Sequence, residues 1–273
     1  MSTTTETLTP GTSSVSTKPG VGLRWAVRDT VAMTWRNLTV IRRVPQLLVF
    51  ALVQPLIFVL MFRYVFGGAI KAPGGSYVNY LMPGIFVQTV VFGAINTAVG
   101  LAEDKTKGLL ERLKSLPMYR GAVLGGRVLA DTTRNAVTVV LMLLIGFLVD
   151  FRTSTSVLEV IAGIGVMVLF GLAMCWIFAV IGLAVTNGEA AQAATFPLIA
   201  PLVFASNAFV DPSTMPGWLR WWAERQPVSI TTKAVRSLML GTEPTSYVWG
   251  SIAWSIGIMV VMAPLAVRRF RNT

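Results

Sequence analysis

EDKTKGLLERLKSLP, residues 103–117, is the one charged, amphipathic stretch that lies between long apolar runs of this chain. One run, residues 80–101, precedes it, and another, centred on residues 137–149, follows after a short basic connection. Leucines recur within the stretch at helical spacing while charged residues take the other sides, which predicts an amphipathic helix ending at Pro117. That helix is either a contact for a partner outside the membrane or a surface helix on lipid headgroups. We call residues 103–117 the charged segment.

The overall composition is that of a membrane protein. Of 273 residues, 54% are hydrophobic and 13% are charged, against roughly 25% charged residues in soluble domains. Several apolar runs exceed the roughly 18 residues that mark a membrane span. The net charge of +11 fits the excess of Lys and Arg in cytoplasmic loops better than it fits nucleic-acid binding. The sequence therefore predicts an integral membrane protein with no nucleic-acid partner.

The residue types that the chain lacks exclude several kinds of chemistry. There is no histidine, the commonest proton switch and imidazole metal ligand. The single cysteine, Cys175, excludes an intrachain disulfide. No segment matches the phosphate-binding pattern G-x-x-x-x-G-K-[ST], so any ATP used in transport would bind to another chain. We therefore predict a chain that is not an enzyme and that carries no catalytic residue, metal or cofactor.

The apolar pattern predicts an all-α integral membrane protein with six transmembrane helices. The predicted spans cover about residues 46–66, 80–101, 129–151, 157–185, 190–208 and 248–267. Residues 1–22, rich in Ser and Thr, predict a disordered cytoplasmic tail. Residues 23–44 predict an amphipathic helix with Val27, Val31 and Trp35 on its apolar face. That helix lies either in the cytoplasmic membrane interface or packed on the rest of the protein.

The distribution of basic residues predicts the orientation in the membrane. Lys and Arg gather in the amino-terminal segment, in the loop that contains the charged segment, and in the carboxyl-terminal tail. Because such residues accumulate on the cytoplasmic side, we place these regions and both termini in the cytoplasm. Residues 211–247 then lie outside. They contain two short amphipathic pieces, each too short to span, which we expect to enter one leaflet and return as re-entrant helices.

Two stretches resemble the type-2 ABC exporter permeases, and most closely the daunorubicin-resistance-like permeases. They are EDKTKGLLERLKSLPMYRGAVLGGRVLAD, residues 103–131, and PSTMPGWLRWWAERQPVSITTKAVRSLMLG, residues 212–241. The resemblance implies that residues 23–273 form a type-2 ABC transmembrane domain in the inner (plasma) membrane, exporting an amphipathic drug or lipid. It also implies a second permease chain, identical or homologous, and a dimer of ATP-binding subunits that holds ATP and Mg.

The resemblance also assigns roles to individual residues. It implies that a helix over residues 103–116 docks in a groove of the ATP-binding subunit. Leucines would fill the groove and charged residues would pair at its rim, the set being Glu103, Lys105, Leu109, Glu111, Arg112, Leu113 and Leu116. The re-entrant pair would cap the exit, with Pro216, Trp218, Trp222 and Pro227 as its marker residues.

Other assignments stay open at this point. Gln54, Gln88 and Asn96 are candidates for lining the substrate pathway, although an amide within the membrane more often bonds a neighbouring helix. The main alternative function is an ion-coupled secondary transporter, which usually needs acidic residues near the midplane and often an internal repeat. Here the acids cluster near span ends. A membrane-embedded transferase or protease is a third possibility, with neither histidine nor a carboxylate pair to support it.

Overall fold

The computed structural model describes residues 23–43, 46–66, 77–114 and 120–272, and within those ranges the regular structure is entirely helical. The predicted amino-terminal tail, residues 1–22, lies outside the described residues. The α-helices are α1 (Leu23–Arg43), α2 (Gln46–Leu60), α3 (Tyr77–Thr106), α4 (Leu109–Lys114), α5 (Arg120–Leu148), α6 (Val157–Ala184), α7 (Gly188–Phe204), α8 (Gly217–Arg225), α9 (Pro227–Leu240) and α10 (Ser246–Asn272). A π-helical segment, Met61–Phe66, continues α2, and a short 3-10 helix, Pro212–Thr214, precedes α8.

Four of these helices, α3, α5, α6 and α10, are long and apolar enough to cross a membrane. The prediction of an all-helical protein is therefore confirmed for the described residues, and four of the six predicted spans correspond to helices that are long and apolar enough to cross a membrane. The other two predicted spans correspond to α2, of 15 residues, and α7, of 17 residues. Helix α7 is at the lower limit of the roughly 17–25 residues that a membrane crossing takes, and α2 reaches that length only together with the π-helical segment. The passage of α2 and α7 through the bilayer therefore stays a prediction.

The helix ends next to the charged segment differ from those expected. The predicted single helix over residues 103–116 is wrong, because α3 continues to Thr106 and a separate helix, α4, begins at Leu109. Gly108 makes the break, with a φ of 66° in the left-handed region. Its amide donates to the carbonyl of Lys105 at 3.0 Å, which is how a glycine ends a helix. The acidic residues Glu103 and Asp104 therefore belong to the last turns of α3.

Helix α3 is the centre of the molecule. Of the residues in the most apolar 18-residue stretch of α3, 67% are buried within the protein, whereas the corresponding share for α10 is 17%. It packs against α5, α6 and α7. Gly182 brings α6 close to α3, because a Cβ at this position would overlap the backbone carbonyl of Ala98. A movement of either end of α3 would therefore be felt by three neighbouring helices.

Helix α1 lies along α5, on the side of the chain that carries the charged segment. Met33 is buried, and a Cβ at Gly126 of α5 would overlap its side chain. Val27, Val31 and Trp35 are exposed, as expected for a face that meets lipid. One side of α1 thus packs against α5, and its apolar face is exposed. The location of α1 in the membrane interface stays a prediction.

Candidate coupling site

Helix α4 turns its leucines inward and its charges outward. Leu110 and Leu113 are buried, with 3% and 7% of their surfaces exposed. Leu109 is half-buried and packs against the same core. Glu111 and Arg112 are exposed. Because a helix places residues three and four apart on one side, this pattern leaves a charged surface for a partner.

The predicted groove-filling leucines therefore occupy different environments. Leu113 is buried in this protein's own core. Leu109 retains part of its surface, and Leu116 lies outside the described residues. Docking through Leu109 and Leu116 stays a prediction, whereas contact through Leu113 would require α4 to shift away from the core. A partner could contact the charged side of α4 without any such movement.

The two acidic residues at the end of α3 have different partners. Glu103 forms an exposed ion pair with Lys107, with 3.0 Å between Nζ and Oε2. Exposed pairs of this kind contribute little to stability, so both side chains are available to another molecule. Asp104 instead lies against α5, where the Nη1 atom of Arg127 is 3.3 Å from its Oδ2.

Lys105, which the family resemblance assigns to the rim, has an internal contact. Its ammonium group donates to the carbonyl oxygens of Leu183 and Val185, at 3.5 and 3.3 Å. These carbonyls lie at the carboxyl end of α6, where a positive charge is favourable. The hydroxyl of Thr106 adds a hydrogen bond of 3.0 Å to the carbonyl of Thr186. The end of α3 is thereby fixed to the end of α6.

A buried ionic cluster fixes the same end of α3 to α5. Asp131 of α5 is 2% exposed and accepts a hydrogen bond of 2.9 Å from the hydroxyl of Thr97. Arg127 lies 3.0 Å from Asp131, and Arg134 lies 3.3 Å from it. Because Arg127 also pairs with Asp104, the cluster joins the residues that lead into α4 to a long apolar helix.

Only part of this cluster follows from the spacing of its residues in the sequence. The spacing of Asp131 and Arg134 predicts a pair at the membrane edge. The two residues do pair, and they also bond α3 through Thr97 and Gly93, while their position relative to the membrane stays a prediction. The bridging role of Arg127 was missed. Its i,i+4 spacing from Asp131 is a readable signal, whereas its contact with Asp104 depends on how two helices pack. Gly100 permits that packing, since a Cβ there would overlap the Arg127 guanidinium.

The three candidate pathway residues are not brought together in this chain. Gln88 is buried in α3, and its Oε1 has no hydrogen-bond partner among the described residues. Gln54 on α2 is exposed. Asn96 is exposed as well, and its side-chain nitrogen donates to the carbonyl of Gly93 at 3.1 Å. Their role in a pathway stays a prediction.

The candidate exit residues belong to two short helices at the opposite end of α3 from α4. Pro216 directly precedes α8, and Pro227 is the first residue of α9. Between the two helices, the Gln226 side chain accepts a hydrogen bond of 3.1 Å from the amide of Val228. Trp218 and Trp222 are exposed on α8. The two helices are as expected, and their re-entry into the membrane stays a prediction.

Comparison with known proteins identifies similar chains. The family model described as ABC-2 type transporter matches residues 28–240. The daunorubicin resistance ABC transporter permease protein DrrB1 of Streptomyces coeruleorubidus is 34% identical, over 98% of this chain and 96% of its own. The probable doxorubicin resistance ABC transporter permease protein DrrC of Mycobacterium tuberculosis is 29% identical, over 89% of each chain. The putative transport permease ycf38 of Porphyra purpurea is 24% identical, over 80% of this chain and 76% of its own.

Proposed function

The chain belongs to the ABC-2 type transporter family, and on that premise we propose that it is an exporter permease driven by a separate ATP-binding subunit. The observation that carries this proposal is the placement of α4. Its exposed residues Glu111 and Arg112 lie in the sequence between two long apolar helices, α3 and α5. The end of α3 that leads into α4 is joined to α5 by the contact between Asp104 and Arg127. A partner that grips this charged surface would act directly on the membrane-embedded part of the protein.

The ionic cluster supplies the mechanical connection in this proposal. A displacement of α4 moves the last turn of α3, and the Asp104–Arg127–Asp131 contacts carry the displacement into α5. A partner drives such a change only through contacts that differ between two states of the protein. In this account ATP and Mg reside on the partner, and this chain contributes the pathway.

We propose an amphipathic drug or lipid-like compound as the transported molecule. The support is the relatives whose names refer to daunorubicin and doxorubicin resistance. The pathway is proposed to form between two permease chains, identical or homologous. The exposed apolar surface of α10, which includes Trp254 and Val261, leaves room for such a neighbour or for lipid.

The test is a charge reversal on α4. We expect Glu111→Lys to lower co-purification with the ATP-binding subunit, and ATP-dependent doxorubicin uptake into inside-out vesicles, by about tenfold, the effect of losing one charge-assisted contact. The matched control is Arg225→Glu, which reverses an exposed charge on α8 at the other end of the molecule. Normal subunit binding by Glu111→Lys, or equal losses in both variants, would refute docking through α4.

A further inference from the structure

A polar cavity of about 220 Å³ lies at the end of the molecule remote from α4. It lies beside Tyr80 in the first turn of α3, next to the 3-10 helix, α8 and α9. Ser213 and Thr242 form part of its lining and are exposed, so the cavity opens to the surface. Its volume is below the roughly 300 Å³ at which drug-binding pockets begin. It therefore suits a small polar group rather than a whole drug molecule.

Two of the three basic residues of the cavity, Lys233 and Arg236, form no ion pair within the described residues. Arg236, only 2% exposed, donates hydrogen bonds to the carbonyl oxygens of Tyr80 and Asn207 at 2.8 and 2.9 Å and stacks on the Tyr80 ring. Lys233 donates to the Tyr247 hydroxyl at 3.2 Å. Neither cation has a carboxylate within ion-pair distance in the described part of the chain. Asp211 and Glu243 lie near enough to act on the charge of Arg236 but not in contact with it. An anion in the cavity would give both cations a partner in direct contact.

Two acidic residues of the lining also form no ion pair within the described residues. Asp211 accepts a hydrogen bond of 2.9 Å from the amide of Ser213, and neither it nor Glu243 forms an ion pair within the described ranges. The third acid, Glu224, is already paired with Arg220 at 2.8 Å. The hydrogen bond from Arg220 holds the pKa of the Glu224 carboxyl below its usual value. The cavity thus presents two unpaired positive and two unpaired negative groups.

A second observation at the cavity is the buried amide of Asn207. It lines the cavity with 1% of its surface exposed. Neither its side-chain oxygen nor its side-chain nitrogen has a hydrogen-bond partner among the residues that the structure describes. Leaving a buried amide without partners costs on the order of 1–3 kcal/mol per group. A ligand with both donors and acceptors would remove this cost.

The neighbouring tryptophans favour a location of the cavity at the level of lipid headgroups. Trp218, Trp221 and Trp222 on α8 are all exposed. Tryptophan is enriched at the membrane–water interface because its ring is apolar and its N–H is polar. A cavity beside α8 would therefore meet the headgroup layer on that side of the membrane, which is the outer leaflet in the proposed orientation.

We propose that this cavity binds the headgroup of a zwitterionic phospholipid with a primary ammonium, such as phosphatidylethanolamine. Lys233 and Arg236 take the phosphate, and Glu243 and Asp211 take the ammonium. A primary ammonium fits because carboxylates accept its N–H hydrogen bonds, whereas a choline group has no N–H to donate and is typically bound by aromatic cages. The proposal depends on the membrane placement of α8 and does not depend on coupling to an ATP-binding subunit.

The test measures lipid retention by the full-length protein, purified without an ATP-binding subunit, in detergent containing one phospholipid at a time. Native mass spectrometry should show phosphatidylethanolamine bound at least about fivefold more tightly than phosphatidylcholine or phosphatidylglycerol, consistent with one additional charge-assisted contact. Glu243→Gln should abolish the preference for phosphatidylethanolamine over phosphatidylglycerol. Lys233→Gln should weaken the binding of all three lipids. Arg225→Gln, an exposed cation of α8 outside the cavity lining, is the control and should change nothing.

A competition experiment uses the unmodified protein, so its outcome does not depend on whether a variant folds. Excess glycerophosphoethanolamine should displace the bound lipid, whereas glycerophosphocholine should not. Equal retention of phosphatidylethanolamine and phosphatidylcholine, an unchanged preference in Glu243→Gln, or displacement by neither soluble compound would overturn the proposal. Because no ATP-binding subunit is present, these outcomes leave the proposed export function to its own test.

Discussion

Arg127 is the residue that connects the charged segment to the body of the protein. It lies between Asp104 on α3 and Asp131 on α5, at 3.3 and 3.0 Å. Removing one partner of a buried ion pair is costly because the remaining charge stays out of water. Without Arg127, Asp131 would keep Arg134 as a partner. The loss of stability is therefore smaller than for an isolated pair.

We expect Arg127→Met to lower the free energy of unfolding by about 1–3 kcal/mol. The physical reason is the loss of two carboxylate contacts by one guanidinium. Thermal unfolding in detergent measures the effect, and a double-mutant cycle with Asp104→Asn isolates the contact between the helices. A coupling energy of at least about 0.5 kcal/mol is expected. Strict additivity of the two substitutions would show that Arg127 and Asp104 do not interact.

At the residue scale, sequence reasoning succeeds where partners share a helix. The Asp131–Arg134 pair and the capping of α7 by Asn187 both follow from local spacing. The spacing of α9 predicts Lys233 and Arg236 on its polar side, and both line the same polar cavity. The burial of Arg236 is not predicted by that spacing. Its hydrogen bonds go to backbone carbonyls of α3 and of the segment after α7, and no local pattern encodes those neighbours.

At the scale of elements, the turn between α3 and α4 sets the direction of α4. Gly108 has a φ of 66°, and a Cβ there would meet no heavy atom of the described residues within 4 Å. A substitution at Gly108 therefore acts through backbone conformation and not through a steric clash.

Gly108→Ala should cost about 1 kcal/mol, because L-residues disfavour the left-handed region. Gly108→Asn should cost less, because its short polar side chain tolerates that region. The measurement is the affinity of the ATP-binding subunit for each variant, with the alanine variant expected to bind several-fold more weakly than the asparagine variant. Identical affinities for both variants and the unmodified protein would show that the turn does not set the docking geometry.

Two glycines of α6 provide a matched test of helix packing. A Cβ at Gly182 would overlap the backbone of Ala98, whereas one at Gly165 would meet no described atom within 4 Å. Gly182→Ala should destabilise the protein by about 1–3 kcal/mol through overpacking. Gly165→Ala should be neutral or stabilising by up to about 1 kcal/mol through helix propensity. Thermal unfolding measures the stability of both variants. Equal stability of the Gly182→Ala and Gly165→Ala proteins would contradict the close approach of α3 and α6.

At this scale, the apolar runs predict which helices exist but not where they end. The second predicted span stops at residue 101, yet α3 continues to Thr106. Hydropathy falls where charges begin, whereas the helix continues because Lys105 and Thr106 find partners on α6 and after it. The break after Thr106 depends on the conformation of one glycine. Such tertiary contacts are invisible to a hydropathy window.

For the whole molecule, the placement of the acidic residues favours a driven permease over an ion-coupled transporter. Asp131 is the buried carboxylate of the described chain, and it is paired with two arginines. An acid with two cationic partners is poorly suited to binding and releasing a transported proton or cation. The sequence predicts the membrane class and the family from apolar runs and two motifs. It does not predict the contact between Arg127 and Asp104 or the cavity beside Tyr80, because both assemble from distant segments.

The most direct test of the central claim is the accessibility of position 107 to a membrane-impermeant thiol reagent. Cys175 is fully buried and should not react with the reagent. The substitution Lys107→Cys therefore places one reactive thiol beside α4. We predict labelling from the cytoplasmic side of the membrane and strong protection when the ATP-binding subunit is bound. Labelling from the exterior, or undiminished labelling in the presence of the bound subunit, would contradict the account.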